Sequence, residues 1–214
     1  MKVLWVLVFA VIFVGAPSLA SAQDTITLPR GNVSGFGTFA GTASDGLDRG
    51  HGFGLSGTYF FSRLIGVEGG FRRQSFDLAG TEANSVAGGE LKANVITANV
   101  VVRVASGSVQ PYVSGGAAFY MNDYATDSAV AAALAAFNFT PAESIDNTVG
   151  FNVAGGADFQ ASPRIGFFVE GRFTLATADT TGGLTDQSTD ITATTAGEQE
   201  LNVFTVNGGI RIFF

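Results

Sequence analysis

Eight apolar, alternating segments follow residue 30, and the connections between them run long, short, long, short, long, short, long. The segments span about 31–40, 51–61, 65–76, 92–105, 110–122, 148–160, 165–177 and 200–214. Three connections are tight: Ser62-Arg63-Leu64, Ser106-Gly107-Ser108-Val109 and Ser162-Pro163-Arg164. The other four, roughly 41–50, 77–91, 123–147 and 178–199, are rich in Gly, Thr, Ser, Asp and Asn. Each segment is near the 9–11 residues that carry a tilted strand across a bilayer. Strands with short turns at one end and long loops at the other predict an all-β, eight-stranded, antiparallel up-and-down transmembrane β-barrel over residues 31–214.

The alternation of side chains says which face is which. In the last segment Phe204, Val206, Ile210, Ile212 and Phe214 share one face, and Thr205, Asn207 and Arg211 the other. The seventh sets Ile165, Phe167, Val169, Phe173 and Leu175 against Glu170, Arg172 and Thr174. The fourth sets Ile96, Ala98, Val100, Val102 and Val104 against Thr97, Asn99 and Arg103. The sixth sets Val149, Phe151, Val153 and Phe159 against Asn152, Asp158 and Gln160. A charge amid an apolar strand is costly unless it faces an interior that holds partners. A period of two supplies that interior while the other face meets lipid. Val102, Phe151, Val169 and Ile210 are accordingly expected to face lipid near mid-membrane. The first segment is irregular, because Phe36 and Phe39 fall on opposite faces.

A soluble sandwich or lipocalin-like barrel shows the same alternation with the apolar face inward. The strict alternation of loop lengths argues for the membrane, and so does the export signal at the N-terminus. Lys2 gives that signal its positive end, Val3 to Ala16 its apolar stretch and Ala20-Ser21-Ala22 a small-residue cleavage motif. The apolar stretch is shorter than a spanning helix requires. Residues 1–22 are read as a cleaved signal peptide and 23–30 as a short N-terminal segment. Removal of Lys2 leaves 10 bases against 18 acids, a net charge of −8, which excludes nucleic acid as a partner class. Cysteine is absent, so disulfides and thiolate metal sites are excluded too.

The chain ends on Phe214, with Ile212, Ile210 and Val206 at alternate positions before it. That ending, with the topology over residues 31–214, resembles the small eight-stranded outer-membrane barrels of Gram-negative bacteria. The transmembrane domain of outer membrane protein A and the opacity proteins are of this kind. The resemblance implies a place in the cell outer membrane among its lipids and lipopolysaccharide. It also implies that Val206, Ile210, Ile212 and Phe214 form the signal read by the barrel-assembly machinery. Gly208 interrupts the series, and Ile212 stands where an aromatic is common. No peptidoglycan-binding domain is expected after Phe214, so that tethering role is not carried over.

Eight strands enclose an interior that side chains just fill. By parity it receives Glu68, Arg72, Arg103, Asp158, Glu170, Arg172 and Arg211. Glu68–Arg103 and Glu170–Arg211 are the expected pairs, forming a structural plug of mutually satisfied charges. The alternative use of such a set is a gated ion path. Val67-Glu68-Gly69-Gly70-Phe71 is echoed by Val169-Glu170-Gly171-Arg172-Phe173, two strands filling similar slots. His51, the single histidine, lies near the outer rim, with Ser56 below it. A base needs its nucleophile within hydrogen-bond reach and an orienting carboxylate, and no such motif surrounds the pair. Asp45 and Asp48 fall short of a calcium loop. No catalytic residue, cofactor or metal is therefore expected.

Most of the acidic residues lie in the long loops, as a solvated surface that could meet lipopolysaccharide through divalent cations or an extracellular partner. Ala129 to Phe139 is apolar and Ala-rich, with Asp127 and Ser128 as caps, and predicts a short helix ended by Pro141. The expected role is structural or surface interaction (envelope integrity, adhesion) over a packed lumen. A narrow porin-like channel and, behind it, a lipid-modifying enzyme are the alternatives.

Overall fold

The computed structural model describes residues 29–42, 47–78, 89–105 and 107–214. The signal peptide, residues 23–28, Asp45 and Ser106 lie outside the described residues. Among the described residues, twelve strands and one helix follow in order. The barrel strands are β1 (Gly31–Thr42), β2 (Leu47–Phe60), β3 (Ile65–Leu78), β4 (Gly89–Arg103), β5 (Val109–Thr126), β8 (Thr148–Gln160), β9 (Ile165–Leu175) and β12 (Val203–Phe213). Between β5 and β8 come α1 (Ser128–Ala135), β6 (Phe139–Pro141) and β7 (Ser144–Ile145). Between β9 and β12 come β10 (Thr177–Asp186) and β11 (Ile191–Glu200). Each barrel strand pairs antiparallel with its neighbours in sequence, and β12 closes on β1, from Asn32 opposite Phe213 to Thr42 opposite Val203. Closure leaves the barrel without an edge, as a bilayer demands.

Two of the short turns use one device. Ser62 and Ser162 each begin Ser-x-x-Ile, and each Oγ accepts a hydrogen bond from the amide of Ile65 or Ile165, at 2.9 and 3.0 Å. In the third, Gly107 adopts φ +147°, a conformation that costs glycine little.

The outward face is a continuous apolar band. Val169, Ile210, Phe151 and Val102 are all exposed on it, but Val102 stands at its lower end opposite Ile65 and Phe151 at its upper end opposite Leu175, not near the middle. Phe39, Phe53, Phe71, Phe119 and Phe204 mark its upper rim. Tyr59, Phe159, Phe167 and Phe214 mark its lower rim, so aromatics ring the band at both interfaces. The irregular first strand is explained by an inward Phe36, whose ring meets that of Phe168 edge-on, 5.8 Å between centroids. An added Cβ at Gly54 would sit 2.5 Å from the Phe36 ring, so that position makes room for it.

Above the rim the alternation keeps its phase and reverses its chemistry. In β4, Ile96 to Val102 are apolar outward, but Lys92 and Asn94 are the outward residues above them, with Leu91, Ala93 and Val95 buried inside. The same reversal puts Phe76 and Tyr120 inside and Arg73 and Asp123 outside. The barrel thus leaves the membrane and continues in water around its own apolar core.

The region expected as the loop 178–199 is a β-hairpin. β10 and β11 pair from Thr177 opposite Glu200 to Asp186 opposite Ile191. β6 adds to β10 at Leu184–Asp186 and β7 at Thr180–Thr181, making a small sheet of order β11-β10-β6 outside the barrel. The helix is shorter than expected. Asp127 caps it, its carboxylate accepting from the amide of Ala129 at 2.7 Å, but it ends at Ala135, before Asn138 with φ 63° and well before Pro141.

This geometry predicts the sidedness of labelling. In a chain that has no cysteine of its own, Ser188→Cys at the hairpin turn should react with a membrane-impermeant maleimide on intact cells. Ser162→Cys should react only after the outer membrane is permeabilised. The reverse pattern would turn the barrel over.

Candidate functional site

The lumen is filled in layers. Glu68, Arg72, Arg103, Asp158, Glu170, Arg172 and Arg211 all point inward and are buried. Arg172 is the hub of the middle layer. Its Nη2 lies 3.0 Å from Glu68 Oε1, its Nε 3.0 Å from Glu170 Oε1, and its Nη1 donates to Asn152 Oδ1 at 2.7 Å. Asn152 donates to Asn99, and Asn99 to Glu68, each at 3.0 Å. Asn207 and the Tyr112 hydroxyl donate to Glu170 at 2.9 and 3.0 Å. Tyr112 in turn accepts from Arg211, which pairs with Asp158 at 2.6 Å and lies 4.3 Å over the Phe168 ring. A Cβ at Gly156 would stand 2.8 Å from the Tyr112 hydroxyl, so glycine there lets the phenol reach Glu170.

The expected pairs are therefore replaced. Glu68 pairs with Arg172 rather than Arg103, and Glu170 with Arg172 rather than Arg211. The register gives the reason. Asn99 stands opposite Glu68 and Asn207 opposite Glu170, so Arg103 and Arg211 lie four residues farther along their strands, roughly 13 Å away. Arg103 instead stacks 3.5 Å over the Phe60 ring and donates to the Pro29 carbonyl at 3.2 Å. The echoed Val-Glu-Gly strands bring their two carboxylates to one guanidinium. Arg72 forms no ion pair among the described residues, and its Nε and Nη2 lack hydrogen-bond partners there.

Above this layer lies an apolar one that parity reading missed. Phe76, Leu91, Val95, Tyr120, Leu201 and Val203 belong to one buried cluster. Below it, Phe60, Val101 and Tyr112 form another. The cavity beside the charge network, lined by Glu68, Arg72, Glu170 and Arg172 among others, measures about 20 Å³, room for about one water.

The remaining candidates separate. His51 lies within β2 and faces outward. Ser56 faces inward and hydrogen-bonds Ser34 at 2.7 Å, so the two are on opposite faces. Among the described residues no group of three or more His, Cys, Asp or Glu is placed to hold a metal. Val206, Ile210, Ile212 and Phe214 all lie on the lipid face. In the outer cap, Thr126 donates to Glu143 at 2.5 Å. Burial, with the Glu143 carboxylate nearby, pushes the Tyr124 phenol up to about 12.

Comparison with known proteins agrees with this architecture. The structure of the outer membrane protein OprG from Pseudomonas aeruginosa superposes with a TM-score of 0.65, at 17% identity over 86% of this chain and 95% of that one. AlkL, an outer membrane protein solved in lipid bilayers, gives 0.58 at 14% identity over 93% and 96%. Neisserial surface protein A gives 0.55 at 12% over 86% and 97%. These identities speak for the fold alone. No curated protein matches the sequence. Residues 6–194 match the family described as outer membrane protein beta-barrel domain. With a closed barrel, an apolar outer band and that match, the chain belongs to the outer membrane protein beta-barrel family and is an integral protein of the Gram-negative outer membrane.

Proposed function

We propose that this protein is a closed anchor, a barrel that holds an acidic cap outside the outer membrane and serves envelope integrity or adhesion through it. The sealed lumen carries the reading. An ion crossing it would have to break the Arg172 network and part the apolar cluster of Leu91, Val95 and Tyr120, and the cavity beside the network holds about one water. His51 and Ser56, on opposite faces, offer no nucleophile and base within reach of each other, so the role is taken to be non-enzymatic and without cofactor. In this reading residues 1–22 are removed on export. Val206, Ile210, Ile212 and Phe214 are then read during barrel assembly. Lipopolysaccharide surrounds the cap, and nucleic acid has no part.

Wild-type protein in planar bilayers should pass no defined current. Reproducible single-channel steps would favour the narrow-channel reading instead.

A further inference from the structure

Strand β11 is the outer strand of the cap sheet. It hydrogen-bonds to β10, and among the described residues no strand covers its other edge. Such an edge is a template for another chain, and proteins usually blunt it with Lys, Pro, bulges or shortness. β11 runs ten residues in unbroken register, without Lys or Pro, and four of its first five residues are β-branched. Residues 191–196 are exposed on both faces.

Beside this edge lies an open apolar groove of about 540 Å³, walled by Val130 and Leu134 of α1, Leu184 of β10, Ala193 and Thr195 of β11, and Glu143. Gly182, Gly183 and Ala193 put little or no side chain into its wall. α1 is apolar along its length, yet none of its residues is buried, and Phe137 just beyond it is 76% exposed. Lipid does not cover this surface. Leu184 lies nine residues past Leu175 at the upper end of β9, about 30 Å of strand. The charge of the region is one-signed: residues 121–147 and 177–202 hold nine acids and no Lys or Arg.

We propose that β11 receives an extended cationic polypeptide segment as an added strand, with alternate apolar side chains entering the groove and Lys or Arg facing the acidic cap. Main-chain pairing supplies the geometry, and the pocket beside alternate side chains supplies selectivity. Charge complementarity picks the occupant. A second copy of this chain would bring a like-charged cap to the same edge, whereas a basic strand is steered toward it. The inference rests on the surface-interaction reading and names its partner.

The test uses the full-length protein in lipid nanodiscs and a labelled peptide of alternating Lys and Val. Binding by anisotropy should come with slowed amide exchange within residues 191–197. An alternating Glu-Val peptide should not bind. The Lys-Val peptide N-methylated at every second residue keeps its charge but cannot add as a strand, and should bind about tenfold or more weakly. Ala193→Trp, filling the groove, and Thr195→Lys, opposing the charge, should weaken binding by a similar factor. Equal binding of the N-methylated peptide, or indifference to both substitutions, would overturn strand addition. Concentration-dependent self-association that protects β11 without peptide would give the edge to a second copy. Cell attachment separates the two levels. Attachment lost on deletion of the protein but retained by Ala193→Trp rejects the strand alone. Attachment unchanged on deletion rejects the adhesive role itself.

Discussion

Arg172→Met should lower the unfolding free energy by about 3–5 kcal/mol, because it strands two carboxylates in the lumen. Arg172 is the ion-pair partner of both Glu68 and Glu170 and also holds Asn152. Without it Glu68 keeps Asn99, and Glu170 keeps Asn207 and Tyr112, but neither retains a cation within ion-pair distance. The measurement is guanidinium unfolding of the protein refolded into lipid vesicles. Adding Glu68→Gln and Glu170→Gln to the same chain should recover much of the loss, since the neutral amides need no counter-ion. Residues in one network do not contribute independently. Strictly additive losses in the triple variant would show that the three groups do not interact. Arg72→Met is the internal comparison. Arg72 has no ion-pair partner among the described residues and two unbonded guanidinium nitrogens, so its removal leaves no carboxylate without a counter-ion, only the Tyr120 hydroxyl that it hydrogen-bonds, and should cost less than removal of Arg172.

The contrast between Arg172 and Arg103 shows how far a sequence carries such a site. Parity alone places Glu68, Arg103, Glu170 and Arg211 on an inward face, because a period of two is a property of each strand by itself. Which residue stands opposite which is a property of two strands, and a tight turn fixes it. β3 joins β4, and β9 joins β12, through long connections, so their registers could not be counted from the turn. In both cases an asparagine, Asn99 or Asn207, occupies the place facing the glutamate. The apolar upper lumen was hidden for another reason. Leu91, Ala93 and Val95 keep the phase of Thr97 and Asn99 but carry the opposite chemistry, so a reading that assigns polar to inside places no apolar layer there, although the segment 92–105 already holds Ala93 and Val95. The cap hairpin was missed because Thr, Gly, Ala and Asp in β10 and β11 have the composition of a loop. β10 earns its sheet through pairing on both sides, a tertiary effect that overrides local composition. Asp127 shows the converse: an N-cap depends on its own next few residues, and it was readable.

Arginine at Val169 should cost about 2–4 kcal/mol, and at Leu175 about 0–1 kcal/mol, although both side chains face the same lipid. The outward residues of β9 run from Ile165 at the lower rim to Leu175 at the upper. Val169, 55% exposed to the hydrocarbon, lies near the middle, opposite Gly208 on β12 and Ala157 on β8. A guanidinium there finds only small apolar neighbours and must thin the bilayer or reach for an interface. At Leu175 it lies next to Thr177, the first polar outward residue, and snorkels into water. Thr192→Arg, on the exposed hairpin above the membrane, should leave stability unchanged. The same guanidinium titration in vesicles reads all three. A graded loss, largest at Val169 and absent at Thr192, follows if the exposed band is immersed in lipid. Were that face in water, arginine would be as welcome at Val169 as at Thr192, and equal stability of the three variants would remove the membrane from the account.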